Sequence, residues 1–293
     1  MQKITPFLWF NDNIEEAVNY YTSLFSNSEI VHFHRYGEGG PKPSGKVMTG
    51  TFKLCGQEFY ALDGGPMFTF TPALSFFVYC DTIEETDALW EGLSAGGKIL
   101  MELDKYAFSD KYGWVQDKFG ISWQLSLGSR KQKISPFFLF TGKQFGRAGE
   151  AVDFYSKTFA SSSIVNLVHT KTGDNGEKEI LQYGVFTLQD ELFMAMDSGE
   201  SHNFSFSPAI SLFVNCESQE EVDRFWDILS EGGEKSRCGW LIDKFGVSWQ
   251  IIPSILGKLL YTTDSVKSGR VMQAMMQMSK IDIKALQNAY DQS

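Results

Sequence analysis

The sequence predicts an α+β chain. Two tandem copies of one domain, each made of two β-α-β-β-β modules whose sheet curls into a cup with the helices outside, are followed by C-terminal helices. Two observations carry this reading: a long internal repeat, and short apolar strand patterns that alternate with amphipathic helical ones.

The repeat runs in unbroken order. Lys3-Ile4-Thr5-Pro6-Phe7 recurs as Lys133-Ile134-Ser135-Pro136-Phe137, and Glu16-Ala17-Val18 with Tyr21 and Phe25 recurs as Glu150-Ala151-Val152 with Tyr155 and Phe159. Pro72 to Val78 matches Pro208 to Val214, and Trp90 with Gly96-Gly97 matches Trp226 with Gly232-Gly233. The strongest block, Asp117-Lys118-Phe119-Gly120-Ile121-Ser122-Trp123-Gln124, reappears as Asp243-Lys244-Phe245-Gly246-Val247-Ser248-Trp249-Gln250. The expected domains are therefore 1–128 and 132–253, joined by the polar stretch Gly128 to Lys131, with a tail over 254–293. The second copy has extra residues after Phe140 and lacks most of Lys98 to Asp110, length changes that belong in loops at the rim of a site.

Within the first copy, Ile4 to Phe10 reads as a strand. Asn13 is placed to cap the following helix, with Glu16 completing a capping box, and Ile14, Val18, Tyr21 and Phe25 recur on one helical face. Strands follow over Ile30–His34, Val47–Leu54 and Glu58–Leu62, separated by turn-rich residues such as Gly37-Glu38-Gly39-Gly40-Pro41. The pattern then restarts: a strand over Leu74–Cys80, a capping box from Thr82 to Glu85, and a helix whose face carries Thr86, Leu89, Trp90 and Leu93 and which ends at Gly96-Gly97. Later strands fall around Lys98–Glu102, Gly113–Gln116 and Ile121–Leu125. In the tail, Asp264 caps a Met-rich helix with Val271, Met275 and Met278 on one face, read as packing on a domain surface. Asp282 caps the next, with Ile281 and Leu286 as a hydrophobic staple.

Composition narrows the function classes. Of 293 residues, 43% are hydrophobic and 21% charged, which suits a folded chain of about two domains. No apolar run approaches the ~18–20 residues of a membrane span, and the N-terminus has no leader-like pattern, so a cytoplasmic protein is expected. Twenty-six basic against 36 acidic side chains give a net charge of −10, which disfavours nucleic acid as a partner. Four cysteines without CxxC spacing are no disulfide framework.

Paired βαβββ modules closed by Asp-Lys-Phe-Gly-x-Ser-Trp-Gln resemble the vicinal-oxygen-chelate superfamily, which includes glyoxalase I, extradiol dioxygenases and bleomycin-resistance proteins. The opening Ile-Thr/Ser-Pro-Phe, Glu-Ala-Val-x-x-Tyr, Leu62-Asp63-Gly64-Gly65-Pro66 and Cys238-Gly239-Trp240-Leu241-Ile242 are similar to its PhnB-like branch, often labelled 3-demethylubiquinone-9 3-methyltransferase. The resemblance covers residues 3–253 and extends to Val271–Tyr290. It implies a small organic ligand in a cup and, in metal-dependent members, one divalent ion held by His and Glu or Gln from the first and last strands of the modules.

Alignment of the last strand puts the family's metal carboxylate at Gln124 and Gln250, and a neutral amide is a poor ligand for a hard or borderline cation. The opening strands carry no His, Asp or Glu, so no metal and no other cofactor is expected. Asp63 and Asp197, in Gly-bearing turns, favour a turn role over ligation, and His32 and His34 favour a surface reading. Strand alternation sends Ser122 and Gln124, like Ser248 and Gln250, into the cups and turns Trp123 and Trp249 to the helices. The candidate ligand-binding residues are thus Ser122, Gln124, Trp114, Asp63, Ser248, Gln250, Trp240, Cys238 and Asp197, with the facing of Trp114 and Trp240 open. No catalytic residue is assigned. The expected function is metal-free binding of a small molecule. The alternatives are a metal-dependent lyase or dioxygenase of the glyoxalase or extradiol type, and the labelled methyltransferase, for which no glycine-rich strand-to-helix turn is found. The two copies are expected to form an intrachain pseudo-dimer. The pairing of the four modules, the choice of working cup and any homodimer stay open.

Overall fold

The computed structural model describes residues 2–38, 41–172 and 178–292, and Gly39-Gly40 of the expected turn after the second strand lie outside them. Two compact units are present, one of residues 6–210 and one of residues 1–5 with 211–293.

The larger unit starts within β1 (Ile4–Phe10) and continues through α1 (Ile14–Leu24), β2 (Glu29–Arg35), β3 (Val47–Leu54) and β4 (Gln57–Asp63). β1 pairs in parallel with β4, and β3 lies antiparallel between β4 and β2. Ile14, Val18, Tyr21 and Phe25 are buried as their spacing requires. The capping box is corrected. Asn13 occupies the N-cap position, but its side chain makes no capping bond, and Glu16 pairs with Lys118 Nζ at 3.0 Å instead of reaching back to the helix start. The second module repeats the order as β5 (Leu74–Cys80), α2 (Ile83–Ser94), β6 (Lys98–Tyr106), β7 (Ser109–Gln116) and β8 (Ser122–Leu127). Here the cap forms: Thr82 Oγ1 accepts the Glu85 N–H at 3.1 Å.

The second copy begins with β9 (Ile134–Phe140), α3 (Ala148–Thr158), β10 (Ser163–Thr172), β11 (Lys178–Leu188) and β12 (Glu191–Asp197). One eight-stranded sheet has the order β10-β11-β12-β9-β5-β8-β7-β6. Its centre is the antiparallel pair β5–β9, with Ser75 opposite Phe137 and Phe77 opposite Ser135. The second module of one copy is thereby joined to the first module of the next, the pairing that sequence alone leaves open. One face of this sheet is covered by helices. Trp123 is buried there against Tyr21 of α1 and Phe25 just past its C-terminal end, and Phe138 meets Tyr155 of α3. Fully burying one such side chain contributes about 1.5–3 kcal/mol, so these pairs anchor the helices. The opposite face carries the next residues in each alternation, including Phe77, Phe137 and Met194.

The smaller unit contains β13 (Ile210–Cys216) from Ser211 on, α4 (Gln219–Ser230), β14 (Glu234–Lys235), β15 (Trp240–Ile242) and β16 (Ser248–Pro253), in the sheet order β14-β15-β16-β13. Three helices complete it: α5 (Ile255–Leu260), absent from the sequence expectation, α6 (Ser265–Met276) and α7 (Ile283–Asp291). Asp264 Oδ1 accepts from the Val266 and Lys267 N–H groups, and Asp282 Oδ1 from that of Ala285. Val271, Ile281 and Leu286 are fully buried together with Ile252 of β16, and Phe213, Met275 and Met278 pack on them. The tail therefore docks as expected, through the Met-rich face and the staple.

Candidate functional site

The helix-free face of the eight-stranded sheet brings Trp114, Ser122 and Gln124 together. In register, Trp114 lies beside Gln124, Gln124 beside Phe77, and Phe77 beside Ser135. Gln124 is buried, and both ends of its amide are engaged: the Tyr112 hydroxyl donates to Oε1 at 2.7 Å, and Nε2 donates to Ser75 Oγ at 2.8 Å. The Trp114 indole N–H donates to Ser122 Oγ at 2.8 Å, which resolves the facing of Trp114 toward this surface. Burial pushes the Tyr112 phenol well above its ordinary range, so it stays protonated as a donor at neutral pH. Around these groups lie Phe77, Tyr79, Phe137, Leu139 and Met194, with Tyr106 and Phe108 of the β6–β7 hairpin meeting Tyr112 edge-on. This face is a buried apolar and aromatic cluster, with Phe137 3% and Met194 0% exposed, set with neutral amide and hydroxyl groups.

In the second copy the same positions are differently used. Gln250 donates to Ser211 Oγ at 2.9 Å and lies beside Trp240 in register, and Ser248 is buried. The Cys238 N–H donates to the Met278 carbonyl at 2.8 Å and its thiol to the Met275 carbonyl at 3.6 Å, so this cysteine faces the tail. Burial raises its pKa. Phe213 and Ile252, in alternation with Ser211 and Gln250, are covered by the tail helices.

Asp63 and Asp197 serve as connectors between a strand end and a helix start. Asp63 Oδ1 accepts the Asp12 N–H at 2.8 Å while Oδ2 pairs with Lys42 Nζ at 2.8 Å. Asp197 takes the N–H groups of Gly146 and Ala148 on Oδ1 and that of Leu181 on Oδ2. The histidines are scattered: His32 and His34 meet edge-on on β2 with ring centres 4.6 Å apart, and His202 bonds Ser198. Among the described residues no three His, Cys, Asp or Glu side chains gather as a metal site.

Sequence reasoning missed Asp117 and Asp243. Asp117 accepts the Phe119 and Ile121 N–H groups on Oδ1, and the Trp123 indole and Tyr21 hydroxyl on Oδ2, at 2.7–3.0 Å. Asp243 repeats this with Phe245, Val247 and Trp249. The signal was the Asp at i with donors at i+2, i+4 and i+6 in the strongest repeat block. Both carboxylates organise the turn that aims Ser122, Gln124, Ser248 and Gln250.

The sequence profile of the family described as 3-demethylubiquinone-9 3-methyltransferase matches residues 2–126 and again 132–252. A PhnB protein from Bacillus cereus is 53% identical over 43% of this chain and 100% of its own, with a TM-score of 0.42. A variant of glyoxalase I from Zea mays superposes with a TM-score of 0.56 at 12% identity, covering 86% of this chain and 94% of its own, a likeness of fold. No curated protein matches.

Proposed function

The chain belongs to the 3-demethylubiquinone-9 3-methyltransferase family, PhnB-like proteins of the vicinal-oxygen-chelate superfamily, and from that membership we propose that it binds a small, largely aromatic neutral molecule on the Gln124 face of the eight-stranded sheet, without a catalytic metal. The observation that carries this reading is the engagement of both ends of the neutral Gln124 amide, by Tyr112 and Ser75, at the position where metal-dependent members place a ligand. A divalent ion on Gln124 Oε1 would compete with the Tyr112 hydroxyl and would meet Phe77, Phe137 and Met194 in place of carboxylates or imidazoles. The donor set does not fit the ion that the superfamily's metal-dependent members use. A ring of the right size instead gains aromatic contact and removes apolar surface from water, while the few hydroxyl and amide groups orient it. The tail's cover over Phe213 and Ile252 supports a single working cup, with Gln250, Ser248, Trp240 and Cys238 in a structural role.

Metal analysis of protein purified without chelator, together with native mass spectrometry, tests the proposal. The expected result is a co-purified organic mass and no stoichiometric divalent ion. About one tightly held ion per domain would overturn it and favour the second reading, a lyase or dioxygenase of the glyoxalase or extradiol type. That second reading draws on the glyoxalase-like fold and predicts turnover on addition of nickel, manganese or iron. The methyltransferase of the family's description has little support in the strand-to-helix turns: those from β1 to α1, β5 to α2 and β13 to α4 contain no glycine, and in the one from β9 to α3, which carries Gly142 and Gly146, the Gly146 N–H is taken by the Asp197 carboxylate at 2.7 Å.

A further inference from the structure

The larger unit also holds a cavity of about 630 Å³ away from the Gln124 face, where the ends of the first copy's two modules meet. Trp9, Asn13, Phe68, Lys98, Lys118 and Phe119 form the parts that matter. Trp9 is fixed: its indole N–H donates to the Gly65 carbonyl at 2.8 Å, and its ring meets that of Phe68 edge-on at 5.0 Å. Phe119 contributes a second aromatic wall, with the Lys118 ammonium 4.8 Å from its ring centre. Lys118 pairs with Glu16, whereas Lys98 is exposed at the rim and has no ion pair among the described residues. The Asp117 carboxylate also borders the cavity, but its oxygens are taken up by four donors.

Aromatic walls and an unpaired cation at the rim together define a ligand class. We propose that this cavity is a second binding site, separate from the cup, for a small aromatic acid. The ring lies between Trp9 and Phe119 beside Asn13, and the carboxylate faces Lys98.

Titration of the full chain with 4-hydroxybenzoate, followed by indole and backbone N–H resonances, tests this. Saturable shifts are expected at the Trp9 indole and at Asn13, with the Trp114 indole unmoved. Lys98→Glu, a change at an exposed side chain, should weaken binding at least tenfold, and 4-hydroxybenzyl alcohol, which lacks the carboxylate, should bind at least tenfold more weakly. Absence of saturable shifts, shifts at Trp114 in place of Trp9, or equal affinity for the alcohol would each overturn the proposal.

Discussion

Gln124→Ala offers the sharpest check on the role given to the cup, because its cost can be worked from the contacts. The substitution removes two hydrogen bonds, from Tyr112 and to Ser75, each worth about 1 kcal/mol net. It also strands the buried Tyr112 hydroxyl, adding about 1 kcal/mol or more of desolvation penalty. The expected loss is therefore about 3 kcal/mol, measured as a lowered urea midpoint with an unchanged slope. Gln250→Ala removes the hydrogen bond to Ser211 and should cost about 1–2 kcal/mol. Native mass spectrometry of both variants should find the co-purified mass gone from Gln124→Ala and retained by Gln250→Ala. The reasoning fails if Gln124→Ala lies within about 0.5 kcal/mol of the parent, the range of ordinary surface changes, or if both variants lose ligand equally.

Asp117→Asn should lower stability by about 1–3 kcal/mol, since the Trp123 indole N–H then faces an amide nitrogen. It should also change the pH dependence: burial raises the Asp117 pKa, so its contribution is full below the ordinary carboxyl range and is lost as pH rises through the raised value. The variant's urea midpoint should vary less over that window, and an unchanged slope would count against the assignment. Thiol titration of native protein at pH 8 should find Cys238 the fastest to react, because burial pushes Cys55 up to about 11 and Cys80 and Cys216 up to about 12. Rapid labelling of Cys80 would contradict its burial. Val271→Asp puts a charge into the fully buried tail cluster and should undock the helices at a cost of about 3 kcal/mol or more. An unaltered fluorescence of an apolar-surface dye would refute that docking.

Much of the fold is legible locally. The expected bounds of β1, β3 and β5 coincide with those observed, because alternation and flanking turns act over a few residues. So does the assignment of Trp123 to the helix side, which follows from strand parity alone. The failures have physical causes. Asn13 to Glu16 looks like a capping box, yet Glu16 pairs with Lys118, a residue 102 positions away that no local pattern reveals. Trp114 could not be oriented until its register with Gln124 was known. The β5–β9 junction was invisible because a strand's sequence does not specify its neighbour. Asp117 was read as a repeat marker, although the carboxylate-to-backbone geometry of a turn was there to be recognised.

That β5–β9 junction has a bearing on how such a chain can change. In an assembly of two identical single domains this seam would occur twice, and every substitution near it would change both occurrences. Here Ser75 and its repeat counterpart Ser211 are separate positions of one polypeptide, so one can vary without the other. A single mutation can reshape the cup on this sheet while leaving the corresponding position of the other copy untouched. Covalent duplication thus lets one copy specialise for a ligand while the other keeps a different task.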